Sequence, residues 1–200
     1  MILLATNNGH KKGELELLFP GVVLALPSEV GLAGWDHNET ADSFAGNALG
    51  KARSLFEQAG RRWPVMADDS GICVDALGGA PGIFSARYGA DEGRKLDDVG
   101  RYRLLLERLG ARADRSARFV CALVLVLGPH REFVVEETWE GEVAHTPSGT
   151  AGFGYDPVFW LPELGCTSAD LSSAQKNNLS HRARASRRLA AVIATLEDFA

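Results

Sequence analysis

Two carboxylates stand side by side in Asp68-Asp69-Ser70-Gly71, where a short apolar strand over Pro64 to Ala67 is predicted to end. Adjacent carboxylates repel, burial sharpens the conflict, and a divalent cation relieves it. Hard oxygen ligands with few neighbouring His or Cys favour Mg2+ over zinc. An Asp-rich turn that bonds its own backbone is the plain alternative. Glu39, in Asn38-Glu39-Thr40, is a solvated surface acid unless the fold brings it to Asp69.

Three further segments suit an anion or a flat ring. Thr6-Asn7-Asn8-Gly9-His10-Lys11-Lys12 links a predicted strand to a predicted helix. Helix N-termini bind phosphate through unpaired N–H groups and a partial positive charge, which Lys11 and Lys12 would reinforce. The segment matches neither a Walker A loop nor a dinucleotide glycine pattern. Gly152-Phe153-Gly154-Tyr155-Asp156-Pro157 surrounds two aromatics with glycine, so a purine could stack on Phe153 or Tyr155. Lys176 and Ser180-His181-Arg182 come last. His and Arg in a first helical turn oppose the dipole by about 0.3–1 kcal/mol each, which a bound acceptor would offset. Arg182 can donate two parallel hydrogen bonds to a purine acceptor. Each segment also has a structural reading: a capped turn, a loop with aromatic plugs, a basic surface helix.

The elements that must position these groups follow from periodicity. Ile2 to Ala5 is continuously apolar and reads as a buried strand, Val22 to Leu26 as a second. Leu15, Leu18 and Phe19 share one face of a short helix stopped by Pro20-Gly21. Asp42 or Ser43 can cap a helix carrying Phe44, Ala48, Ala52, Leu55 and Ala59, closed by Gly60. Ile72 to Leu77 reads as extended, Gly78 to Gly82 as a loop and Arg101 to Leu109 as helical. Phe119 to Leu127 is the expected central strand, paired through Gly128-Pro129-His130 with Phe133 to Thr138. Leu189, Val192, Ile193 and Leu196 form the stripe of a last helix, with Ser180 as its N-cap. The expectation is an α/β fold: a mixed twisted sheet with flanking helices, one domain over 1–200 with two lobes around a central cleft.

Composition narrows the partners. The 200 residues carry a net charge of −5, which disfavours general nucleic-acid or anionic-membrane binding. Three cysteines, Cys73, Cys121 and Cys166, are too few and too scattered for a disulfide framework or zinc knuckle. No apolar run is long enough to span a bilayer and no address label is visible, so the cytoplasm is the expected location.

In order along the chain, the strings ATNNGHK at 5–11, ETADSF at 39–44, ADDSGICVDALGGAPGIFSARY at 67–88, FGYDPVF at 153–159 and KNNLSHRA at 176–183 closely resemble the Ham1/RdgB-type non-canonical purine nucleoside triphosphate pyrophosphatases, or ITP/XTP pyrophosphatases. The resemblance implies hydrolysis of dITP, ITP and XTP to the monophosphate and pyrophosphate, Mg2+ dependence and a homodimer. By position it gives Thr6, Asn7, Asn8, Gly9, His10 and Lys11 to the triphosphate, with Lys51 as a further phosphate-side lysine. It gives Glu39 and Asp69 to the metal, and Asp69 to the attacking water with Asp68 in support. Ser70, Phe153, Gly154, Tyr155, Asp156, Lys176, His181 and Arg182 fall to the nucleotide. The chain departs from many members at Asn7 and His10, where they have Gly, and at Gly46, where they have Glu. Two other readings fit fewer strings: a Maf-like pyrophosphatase for dTTP or UTP, and a non-catalytic nucleotide- or RNA-binding module built on the helix after His181.

Overall fold

The continuous apolar runs become the inner strands of a mixed sheet. A computed structural model describes residues 1–196, so the last four residues of the expected 1–200 domain lie outside it. Seven strands alternate with five α-helices among the described residues: β1 Ile2–Leu4, α1 Gly9–Leu18, β2 Leu24–Ala25, α2 Phe44–Gln58, β3 Val65–Val74, α3 Asp98–Leu109, β4 Ser116–Gly128, β5 Arg131–Val143, β6 Phe159–Leu161, β7 Cys166–Thr167, α4 Ser173–Leu179 and α5 His181–Ile193. The sheet order is β2-β1-β3-β4-β5-β6-β7. β1 runs parallel to β2 and β3, while β6 runs antiparallel to β5 and β7. Only two residues join β4 to β5, which permits an antiparallel pair alone.

The chain forms two compact units, one of Met1–Asp69, Cys121–Glu137 and the chain from Arg182, the other of Ser70–Val120 and Thr138–His181. Each has its own core. In the first, Ile2, Leu4, Met66, Cys121, Leu123 and Leu125 of the strands pack with Leu15 and Phe19 of the α1 segment and Ala185, Leu189 and Ile193 of α5. In the second, Ile72, Val74, Phe119, Trp139 and Phe159 pack with Leu104, Leu105 and Leu109 of α3. Burying one such Leu, Ile or Phe contributes roughly 1.5–3 kcal/mol.

Several predicted elements differ in extent: the strand expected over Val22 to Leu26 shortens to Leu24–Ala25, and the one expected over Phe133 to Thr138 lengthens to Arg131–Val143. β3 is a single ten-residue strand, so Asp68 and Asp69 lie inside it rather than in a turn beyond it. The extended run expected over Ile72 to Leu77 stops at Val74, and Asp75–Leu77 winds into a 3-10 turn that Gly78 closes in the left-handed region. α5 ends at Ile193, so Leu196 reaches the core from beyond the helix. The expected cap Ser180 is the buried, extended residue between α4 and α5.

Candidate active site

Inside a strand, successive side chains leave on opposite faces. Asp68 and Asp69 are adjacent in the chain yet meet different partners, and no shared cation is needed to separate them. Asp68 accepts from Lys11 Nζ at 2.5 Å on one oxygen. Its other oxygen accepts from Arg182 Nε at 2.9 Å and Cys121 Sγ at 3.2 Å. The carboxylate is 2% exposed. Burial alone would raise its pKa, but Arg182 and Lys11 hold it well below the ordinary carboxylate range. Burial, with the Asp68 charge, pushes the Cys121 thiol well up, so it stays a protonated donor.

The Asp69 side chain meets α2 instead. Lys51 Nζ donates to Asp69 Oδ1 at 2.8 Å, to Glu39 Oε1 at 2.9 Å and to the Asp68 carbonyl at 2.9 Å. Asn47, one turn earlier on the same helix face, offers its Nδ2 to Asp69 Oδ2 at 3.4 Å, while its Oδ1 accepts from Ala41 N at 3.0 Å. Burial raises the Asp69 pKa against the pull of Lys51. Burial would lower that of Lys51, but Asp69 and Glu39 raise it. The structure thus brings Glu39 and Asp69 to one ammonium group. Among the described residues, no group of three or more His, Cys, Asp and Glu side chains is gathered to hold a metal. Two carboxylates converging on one cation do fit a small hard ion that takes its remaining oxygens from water and phosphate.

The strand-to-helix turn caps itself. Asn8 Oδ1 accepts from His10 N at 2.9 Å and Lys11 N at 3.3 Å, and Thr6 Oγ1 accepts from Asn8 N at 3.1 Å. Asn7 donates to the Trp35 carbonyl at 3.2 Å. Thr6 and Asn8 thus use their side-chain oxygens as acceptors within the turn. Gly9 opens α1 on the exposed side of this turn. Lys12 is committed to Glu29 at 3.0 Å, which leaves Lys11 as the lysine of this turn aimed at Asp68.

The second unit holds the glycine–aromatic loop. Asp156, 2% exposed, accepts from Phe153 N at 2.8 Å, Ser168 Oγ at 2.9 Å and Lys176 Nζ at 2.7 Å. Lys176 Nζ also lies over the Phe153 ring, 5.1 Å from its centre. Gly152 has φ +75°, and a Cβ there would stand 2.0 Å from Asp156 Oδ2. Gly154 N donates to Asp98 Oδ2 at 2.7 Å, tying the loop to the start of α3. Tyr155 is a plug: its ring is in the core and its hydroxyl donates to the Ser85 carbonyl at 2.9 Å. Of the two aromatics expected to meet a purine, Phe153 alone is half-buried. His181 is buried and stacks on Phe119, ring centres 4.7 Å apart. Ser70 is half-buried in β3, and Gly71 beside it lets Ser85 approach, since a Cβ there would meet Ser85 Oγ at 2.4 Å.

Arg182 does sit in the first turn of α5, where its charge opposes the dipole. The protein supplies the offset itself: Arg182 pairs with Asp68 and, through Nη1, with Glu14. Glu14, Asn47 and Cys121 were not singled out from the sequence. Spacing held a signal for the first two, since Lys11–Glu14 and Asn47–Lys51 are three and four apart on helices; Cys121 carried none. Gly46 gives its N–H to Ser43 Oγ at 3.2 Å, and a Cβ there would meet Ala41 Cβ at 2.8 Å, so no side chain enters that position without movement.

Comparison with known proteins gives a consistent picture. Residues 2–192 match the Ham1 family. The chain is 46% identical over 184 residues to a dITP/XTP pyrophosphatase of Treponema denticola, covering 92% of this chain and 93% of that one. It is 43% identical to a dITP/XTP pyrophosphatase of Bordetella pertussis, covering 92% and 86%. Among solved structures, the Staphylococcus aureus Ham1 protein superposes with a TM-score of 0.84 at 38% identity, covering 96% and 97% of the two chains. A HAM1 protein from Coxiella burnetii gives 0.85 at 36%, covering 98% of each.

Proposed function

This chain belongs to the Ham1 family, and from that premise we propose that it hydrolyses the non-canonical purine nucleoside triphosphates dITP, ITP and XTP to the monophosphate and pyrophosphate. The enzyme is a nucleoside triphosphate pyrophosphohydrolase of the kind that cleanses nucleotide pools. The observation that carries the reading is 46% identity, over 92% of the chain, to a protein named for that activity. The acidic and cationic side chains around β3 support it. No helix among the described residues is long and apolar enough to cross a membrane. We place the enzyme in the cytoplasm, as a homodimer.

Release of pyrophosphate means attack of water at the α-phosphorus, with a highly charged leaving group. Neutralising that charge is the main requirement of the transition state. Glu39 and Asp69 would hold Mg2+, which when bound supplies charge neutralisation and lowers the pKa of a bound water. Asp69, held between Asn47 and Lys51, orients the attacking water rather than acting as a strong base. Lys11 and Lys51 take the departing pyrophosphate, with Thr6, Asn7, Asn8, Gly9 and His10 around its outer phosphates. Asp68 anchors: its oxygens are engaged by Lys11, Arg182 and Cys121, and it keeps the first two in place.

Base choice is a matter of donors. A 6-oxo group accepts where the 6-amino group of adenine donates, so a donor facing that position is left unpaired by adenine. Lys176, His181 and Arg182 are the donors we assign, with Phe153 as the stacking ring, Asp156 and Gly154 holding the loop, and Ser70 on the nucleotide. The test is a panel of ITP, dITP, XTP, dTTP, UTP, ATP and GTP with Mg2+, scored for pyrophosphate against orthophosphate. Pyrophosphate from ITP, dITP and XTP well above ATP is expected. Preference for dTTP or UTP, release of orthophosphate, or binding without turnover would refute the assignment.

A further inference from the structure

The groups assigned to the metal and a lysine assigned to the phosphates occupy one place. Lys51 Nζ lies 2.9 Å from Glu39 Oε1 and 2.8 Å from Asp69 Oδ1, and it donates at 2.9 Å to the Asp68 carbonyl. An ammonium has three protons, and each meets an acceptor here. A cation tethered to α2 thus already neutralises the spot where two carboxylates converge. Lys51 is 9% exposed, so its ammonium cannot simply retreat into water.

We propose that Lys51 is a resident counter-ion that keeps Glu39 and Asp69 from holding a divalent cation until the phosphates of a nucleotide draw its ammonium away, so that metal and nucleotide bind together rather than metal first. The inference rests on the reading of Glu39 and Asp69 as metal ligands. Two features of α2 suit the exchange. The four-carbon stem of lysine lets the ammonium swing without moving the helix. Asn47 holds the other Asp69 oxygen at 3.4 Å and is itself fixed by Ala41 N, so the carboxylate keeps its direction when the ammonium leaves. A divalent ion entering with Lys51 still in place would meet a like charge at contact distance. By linkage, the nucleotide then raises metal affinity by the same factor as the metal raises nucleotide affinity.

The test is a titration of the nucleotide-free full chain with Mn2+, reading free ion by its paramagnetic resonance signal. Lys51→Met keeps the stem and removes the charge. We expect it to bind one Mn2+ per chain at least tenfold more tightly than wild type, and Lys51→Met/Asp69→Asn to lose that gain. Binding by Lys51→Met no tighter than wild type overturns the proposal, as does a gain that survives Asp69→Asn. Micromolar Mn2+ binding by nucleotide-free wild type overturns it without any variant. Circular dichroism melting confirms folding, with Lys51→Gln standing in if Lys51→Met does not fold. Failure of the proposed function shows separately, as no pyrophosphate from ITP by wild type, whatever the Mn2+ titration gives.

Discussion

Replacing Asp68 by Asn removes one negative charge from a spot 2% exposed, where Lys11 at 2.5 Å, Arg182 at 2.9 Å and Cys121 at 3.2 Å converge. Deleting one partner of a buried ion pair costs about 3–5 kcal/mol, because the other charge stays buried without it. Arg182 keeps Glu14, and the Lys11 side chain is 15% exposed, so the lower end applies. A loss of about 3 kcal/mol lowers the melting temperature of a chain this size by roughly 6–12 °C. The assay is thermal and urea unfolding of wild type, Asp68→Asn, Arg182→Met and the double variant. The double variant should lose less than the two single losses together, since either change alone already breaks the pair. The pH dependence has a definite sign. The folded pKa of Asp68 lies below its unfolded value, so its stabilisation is fully present above about pH 4 and is lost as pH falls through the folded pKa. The gap between wild type and Asp68→Asn should be level from roughly pH 5 to 8 and close in strong acid. A melting point within about 2 °C of wild type at pH 7, or a gap that widens in acid, would refute the argument.

Asp69→Asn should cut pyrophosphate release by at least about a hundredfold while melting closer to wild type than Asp68→Asn does; near-normal turnover would remove Asp69 from the chemistry. Gly152→Ala sets a Cβ 2.0 Å from Asp156 Oδ2 at φ +75°. It should cost about 1–3 kcal/mol of stability and raise KM for ITP as Asp156 loses its hold on Lys176, and unchanged melting and KM would contradict that geometry. Tyr155→Phe removes the hydrogen bond to the Ser85 carbonyl, for a loss of about 1 kcal/mol, with ITP-over-ATP preference unchanged. A shifted preference would mean that the Tyr155 ring meets the base after all.

Apolar runs and helix stripes announced the frame. Ile2 to Ala5, the α2 stripe of Phe44, Ala48, Ala52 and Leu55, and the long β4 run are where periodicity put them, because each satisfies one buried surface. Strand length was harder to read. Asp68 and Asp69 look like a turn in a string, since carboxylates inside a buried strand are costly unless cations reach them. Those cations come from distant parts of the chain: Lys11 on α1, Lys51 on α2 and Arg182 on α5. The loop around Asp156 shows the same limit. Its glycines were legible as unusual, but the clearance that Gly152 gives Asp156 depends on how the loop closes on itself, and the bond from Gly154 N to Asp98 is a tertiary contact.

The charges around β3 bear on the proposed joint binding of nucleotide and cation. Asp68, Asp69, Glu39 and Glu14 carry one more negative charge than Lys11, Lys51 and Arg182 carry positive. Such a cluster gives a polyanion no net attraction, in keeping with the overall charge of −5. Its cations are not idle reserves either, since each is held by a carboxylate in the protein. A triphosphate can claim Lys51 only by taking the ammonium from Glu39 and Asp69, and those carboxylates then need a replacement cation. On the proposed reading, the arrangement would tie the release of a lysine to the capture of a metal, with Asp69 taking part in the exchange while Asp68, on the other face of the strand, keeps Lys11 and Arg182 in place.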